Sequence, residues 1–208
     1  LSLTNLGACL TALRKSENAI ISTKKAIALY RQLGRANPGT YQSELAASLT
    51  NLAALLSDLG YHGEALVAAE DAARIAQVLA NKKPSAHLPD CALSLVNLGA
   101  CLAELGRQEA PAVGRAAVEI YRRLADINDA FRQDFAKSLW IFARGCVKLD
   151  VKLTEALDAA NESISIYASM PELLEALKAE VRTAFGVLAD VHEARGEFAE
   201  AADLRHHL

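Results

Sequence analysis

The stretch from Ser48 to Ala65, "SLTNLAALLSDLGYHGEA", carries a small residue at Ala53, a Leu59-Gly60 pair, and a second small residue at Ala65. Glycine just past a helix end supplies a left-handed conformation that other residues adopt only at a cost of about 1 kcal/mol. The stretch therefore reads as helix, tight turn, helix. Its opening phrase occurs twice more, as "SLTNLGACL" from Ser2 and "SLVNLGACL" from Ser94, at an interval of 46 residues and with the asparagine kept each time.

The repetition extends along the whole chain. The small residue closing the phrase recurs as Gly7, Ala53, Gly99, Ala143 and Ala189, in steps of 46, 46, 44 and 46. Its partner recurs as Ala19, Ala65, Ala110, Ala156 and Ala201, always 11 to 13 residues further on. Leu105-Gly106 and Arg195-Gly196 repeat the turn signal, with Leu13-Arg14 and Leu149-Asp150 in the matching places. Beyond the second small residue, apolar positions continue at helical spacing, as in Ala26, Ile27 and Tyr30, then Ala117, Val118 and Tyr121, then Ile164 and Tyr167.

Polar breaks separate the units: "RANPGT" from Arg35, "NKKPSAHLPD" from Asn81, "DINDA" from Asp126 and "SMPE" from Ser169. Pro38, Pro84, Pro89 and Pro171 fall in these breaks, where a missing amide hydrogen costs little. Pro111 sits inside a unit, and the shortened step from Gly99 to Ala110 places it in the first turn of its helix, where proline is tolerated. Gly114 makes that helix the weakest. No strand pattern occurs. The expected fold is all-α, with about nine or ten helices whose small residues allow close crossings within a unit and whose large apolar residues bury against the next.

The chain has 208 residues, 52% of them hydrophobic, which is ample for a core. A net charge of -3 and a pI near 6.0 leave no general attraction to nucleic acid or anionic lipid. No uninterrupted apolar run approaches the roughly 20 residues that cross a bilayer, and no charged leader precedes an apolar segment. A cytoplasmic setting is the expectation. Cys9 and Cys101 occupy equivalent repeat positions, where the intervening copy has Leu55, so the cysteines read as modest apolar side chains rather than disulfide or metal ligands.

Small residue, Leu-Gly turn, second small residue twelve on and a late aromatic together resemble the tetratricopeptide repeat (TPR). The 44 to 46 residue pitch is similar to the long-helix variety in kinesin light chains and in the sensor arms of signalling proteins that carry NTPase or caspase-like domains. The resemblance implies a right-handed α-solenoid of about five helix-turn-helix repeats, near 1–40, 41–86, 87–128, 129–170 and 171–208. The expectation is a single domain over 1–208. The first helix has only six residues before Gly7 and the chain stops seven after Ala201, so a fragment of a longer protein is expected. The resemblance also implies a concave groove lined by the first helix of each unit, with an asparagine ladder that holds an extended peptide. The matching residues are Asn5, Asn51 and Asn97, and the ladder stops at Ile141 and Val187.

An asparagine side chain offers both donor and acceptor, so a row of them suits a peptide backbone whatever its sequence. Equally, each could bond a neighbouring helix and order the stack, since asparagine in mid-helix needs a local reason. In the fourth unit Trp140, Arg144 and Lys148 share one helical face, with Lys137 close by, as a candidate pocket for an acidic or apolar anchor or as a plug between units. Upstream the same face carries Asp58 and Glu104, and opposed acidic and basic stretches would orient a bound peptide. Catalysis is not expected. His62, His87 and His192 stand alone, "LGACL" and "LGYHG" lack the lysine and strand of a phosphate loop, Glu155, Glu162 and Glu200 fall on outer faces, and "RHHL" reads as a tail. The functional expectation is a protein-interaction scaffold without cofactor or metal, binding a peptide or partner domain. The alternative is a structural or regulatory arm that self-associates or restrains a linked NTPase or protease domain.

Overall fold

The computed structural model describes residues 16–37, 39–171 and 176–206. Among them are nine α-helices, one 3-10 turn and no strand. The helices are α1 (Ser16–Ala36), α2 (Gln42–Asp58), α3 (His62–Lys82), α4 (Pro84–Glu104), α5 (Ala110–Ile127), α6 (Arg132–Lys148), α7 (Leu153–Ala168), α8 (Lys178–Ala194) and α9 (Phe198–His206). The chain divides into two compact units, Leu1–Cys101 and Leu102–Leu208. In the first, α2 packs on α1 and α3; in the second, α6 packs on α5, α7 and α8, and α9 packs on α8. The even-numbered helices lead each hairpin and the odd-numbered ones trail.

The hairpin turns follow the glycine signal. Gly60, Gly106 and Gly196 have φ of 80°, 69° and 80°, and Asp150 takes the same place with φ 52°. Each turn closes identically: the left-handed residue donates to the carbonyl three back, and the next amide to the carbonyl five back. Examples are Gly60 to Ser57 with Tyr61 to Leu56, and Asp150 to Val147 with Val151 to Cys146. Two otherwise orphaned carbonyls are thereby satisfied. Aspartate is a strained choice for a backbone that glycine adopts freely. Asp150→Gly is expected to stabilise the protein by roughly 0.5–1 kcal/mol, the left-handed penalty less glycine's added unfolded-state entropy. A urea titration checks this, and an unchanged or lower midpoint would contradict it.

Every described member of the two small-residue series is buried, with Ala53, Ala65, Ala143, Ala156 and Ala189 fully inaccessible. Gly7 lies outside the described residues. Pro111 stands in the first turn of α5. Gly114, a liability for α5 on propensity, has a packing reason: a Cβ there would lie 3.1 Å from Phe142 Cδ2, so its absence lets α5 settle on α6.

The "NKKPSAHLPD" segment corrects the sequence reading. The break is a single residue: α3 runs to Lys82, α4 begins at Pro84, only Lys83 intervenes, and Pro89 lies within α4. Its residues are polar because this stretch of both helices faces outward, and the Ser85 carbonyl deprived of a donor by Pro89 belongs to an exposed residue. By length and composition α4 is long and apolar enough to cross a bilayer, but 44% of its most apolar 18 residues are buried within protein.

Trailing helices within each unit are joined by paired ion contacts 40 residues apart. Lys24–Glu64 (3.2 Å) and Arg31–Asp71 (3.1 Å) link α1 to α3; Arg115–Glu155 and Arg122–Glu162 (both 2.5 Å) link α5 to α7. Each pair flanks a cleft, of ≈ 420 Å³ floored by Leu49, Leu52 and Leu56 and of ≈ 330 Å³ floored by Leu139 and Phe142. The exposed pairs contribute about 0–1 kcal/mol each. Their acids and bases satisfy one another.

Candidate peptide-binding site

Two leading helices, α2 of the first unit and α4, whose last turn to Glu104 belongs to the second, present matching outward stripes. On α2 the stripe is Glu44, Ala47, Asn51, Ala54 and Asp58; on α4 the residues 46 further on are Asp90, Leu93, Asn97, Ala100 and Glu104. Steps of three and four keep each set on one helical face, and all ten residues are exposed or half-buried. Behind the stripes, buried hydroxyls join the helices. Thr50 Oγ1 lies 2.9 Å from the Ala46 carbonyl and 2.9 Å from Ser94 Oγ, which is 2.8 Å from the Asp90 carbonyl. The Thr50–Ser94 contact is the one of the three that crosses between α2 and α4, and either hydroxyl can donate in it.

The candidate asparagines separate. Asn5 lies outside the described residues. Asn97 Nδ2 donates to the Thr50 carbonyl at 3.3 Å, tying α4 to the backbone of α2. Asn51, half-buried, makes no hydrogen bond among the described residues. It stands at the lip of a small groove of ≈ 60 Å³ lined by Ala46, Ala47, Thr50, Asp90, Leu93 and Ser94. Leu93 is 44% exposed there. Sequence reasoning passed over Thr50, Asp90, Leu93 and Ser94. The recurrence of an acid at Glu44 and Asp90, one repeat apart, was the available signal.

In the second unit the Trp140, Arg144 and Lys148 constellation is brought together on α6, but each member is engaged. Trp140 is 7% exposed, and the Arg144 guanidinium lies over its ring at 5.2 Å. Lys148 pairs with Glu104. Lys137 opposes the burial that pushes the Asp134 carboxyl above its ordinary range. The Trp140 indole nitrogen and the Tyr167 hydroxyl are both buried without a well-formed hydrogen bond. Burial pushes the Tyr167 hydroxyl up to about 12, against a smaller opposing pull from the Trp140 indole. Ile141 fills the asparagine position, half-buried.

His192 also departs from the sequence reading, which left it without an acid. Left-handed Gly196 folds the chain back so that Glu197 Oε2 lies 2.7 Å from His192 Nδ1, while Arg195 donates to Glu197 Oε1 at 2.9 Å. Arg195 first, then His192, holds the Glu197 carboxyl below its usual range. Among the described residues no three His, Cys, Asp or Glu side chains gather as a metal site.

Comparison with solved structures decides the fold. TPR-like repeats from Podosopora anserina, described as a kinesin light chain of nearly identical repeats, match with TM-score 0.65 and 18% identity in a single-substitution variant, over 99% of this chain and 91% of that one. The fold is TPR-like. A second structure of those TPR-like repeats gives TM-score 0.63 and 19% identity over 99% and 90% of the two chains. Aspartyl phosphate phosphatase F from Bacillus subtilis gives TM-score 0.64 and 13% identity over 97% of this chain and 56% of its own. No family model matches the chain, and no curated protein matches it. The TPR-like likeness at these identities concerns the fold.

Proposed function

We propose that the chain is a protein-interaction scaffold that holds an extended peptide across the outward stripes of α2 and α4. One observation carries the reading. Asn97 spends its amide on the Thr50 carbonyl, whereas Asn51, at the equivalent repeat position, makes no bond among the described residues and edges a groove beside exposed Leu93. A half-buried primary amide presents a donor and an acceptor to a passing backbone, and a peptide group fits both. Asn97 orders the helices that carry the site; Asn51 contacts the ligand. The protein acts by binding rather than by catalysis, with a protein or peptide partner in the cytoplasm and no cofactor. Nucleic acid and membrane are not its partners.

Peptides selected from a phage-displayed random dodecapeptide library against the protein test this. Asn51→Ala is expected to weaken the selected peptides at least fivefold while shifting stability by no more than about 0.5 kcal/mol. Asn97→Ala is expected to lower stability by about 1 kcal/mol through loss of its interhelical hydrogen bond. Peptides that bind the Asn51→Ala protein undiminished would overturn the assignment. A second reading, a structural or regulatory arm that self-associates or restrains a linked NTPase or protease domain, draws on the exposed Ile127 and Phe198 side chains. Light scattering that shows a monomer would remove self-association.

A further inference from the structure

We infer that the ligand of the α2/α4 face is a cationic extended segment, with lysine or arginine at every third residue and small apolar side chains between. This rests on the peptide-binding reading and adds the chemistry of the partner. The argument is charge segregation. Neither α2 nor α4 contains a lysine or arginine, and both stripes begin and end on an acid: Glu44 and Asp58, Asp90 and Glu104. Within residues 16–101 every lysine and arginine lies on α1, on α3 or at Lys83. Those on the trailing helices at Lys24 and Arg31 are committed to Glu64 and Asp71. Glu104 is neutralised by Lys148, but Glu44, Asp58 and Asp90 form no ion pair among the described residues. Among the described residues the face therefore carries an excess of negative charge, which steers and orients a basic partner.

Geometry sets the spacing. Packed helices lie about 8–10 Å apart, and a chain in the extended polyproline II conformation advances about 3.1 Å per residue and returns to the same side every third residue, so residues three apart meet successive helices on one face. Glu44 and Asp90, at equivalent places on α2 and α4, would each receive one cation. Between them lies the groove of ≈ 60 Å³ beside Leu93, walled by Ala46 and Ala47, which suits a small apolar side chain. Asn51 lies two helical turns from Glu44, about 10 Å along α2, within reach of the same ligand's backbone.

The probe is a fluorescein-labelled decapeptide of Lys-Ala-Val repeats, compared by fluorescence anisotropy with its Glu-Ala-Val counterpart. Saturable binding of the lysine peptide alone is expected, weakening at least tenfold between 50 and 500 mM salt. The double substitution Glu44→Gln with Asp90→Asn is expected to weaken it at least tenfold, whereas Glu70→Gln with Glu119→Gln, on exposed trailing-helix surface, changes it less than twofold. Equal losses in both pairs, equal binding of the glutamate peptide, or no binding of the lysine peptide would overturn the inference. Library-selected peptides that depend on Asn51 yet lack basic residues would overturn it too, while leaving the peptide-binding reading intact.

Discussion

Ala156→Leu is expected to destabilise the protein by about 3 kcal/mol, seen as a fall in Tm of roughly 6–12 °C. Ala156 is the second small residue of the fourth hairpin and is fully inaccessible, as is its counterpart Ala143 on α6. The α6/α7 contact is among the most extensive in the second unit. Three added carbons have no void to enter, so they must force the helices apart or drive neighbours off their rotamers. Ala112→Leu supplies the contrast, since Ala112 is exposed on α5 and the same change there should stay within about 0.5 kcal/mol. Equal Tm values for the two variants would show that the small-residue series does not set the helix crossing.

The second large effect is a loss of stability in alkali. Burial pushes the Cys146 thiol from an ordinary 9.0 to about 11, and the Tyr167 hydroxyl from 10.0 to about 12. The folded protein keeps both protons after the unfolded chain has released them. Stability from Cys146 is thus fully present below pH 9 and declines as pH rises through 11; that from Tyr167 is present below pH 10 and declines through 12. Each group is worth roughly 2 kcal/mol by the end of its window. Melting curves between pH 8 and 12 should be flat at first and then fall steeply, and Cys146→Ala or Tyr167→Phe should flatten the matching part. Rapid reaction of Cys146 with a thiol reagent in the folded protein at pH 9 would contradict this.

Both effects depend on a packing pattern that the sequence displayed, while the proposed binding face depends on contacts it did not. The two small-residue series, the left-handed turns and even the substitution of Asp150 for glycine were legible, because each is a local demand repeated at a fixed pitch. Pro89 was misread for a related reason: an outward-facing run of helix and a loop have the same polar composition, and only the packed neighbours distinguish them.

The sequence by itself determined the all-α hairpin repeat of this protein, since helical period, turn conformation and close crossing are all properties of residues a few positions apart. The tertiary structure alone decided the fates of the polar side chains. Asn51 and Asn97 occupy the same place in successive repeats, yet Asn97 donates to Thr50 and Asn51 makes no bond among the described residues. Lys148 looked like a ligand contact until Glu104, 44 residues earlier, was brought beside it. A hydrogen bond or ion pair forms or fails over a few tenths of an ångström between helices distant in the chain. Periodicity fixes which face a side chain occupies; the approach of the neighbouring helix decides whether that side chain is left for a partner.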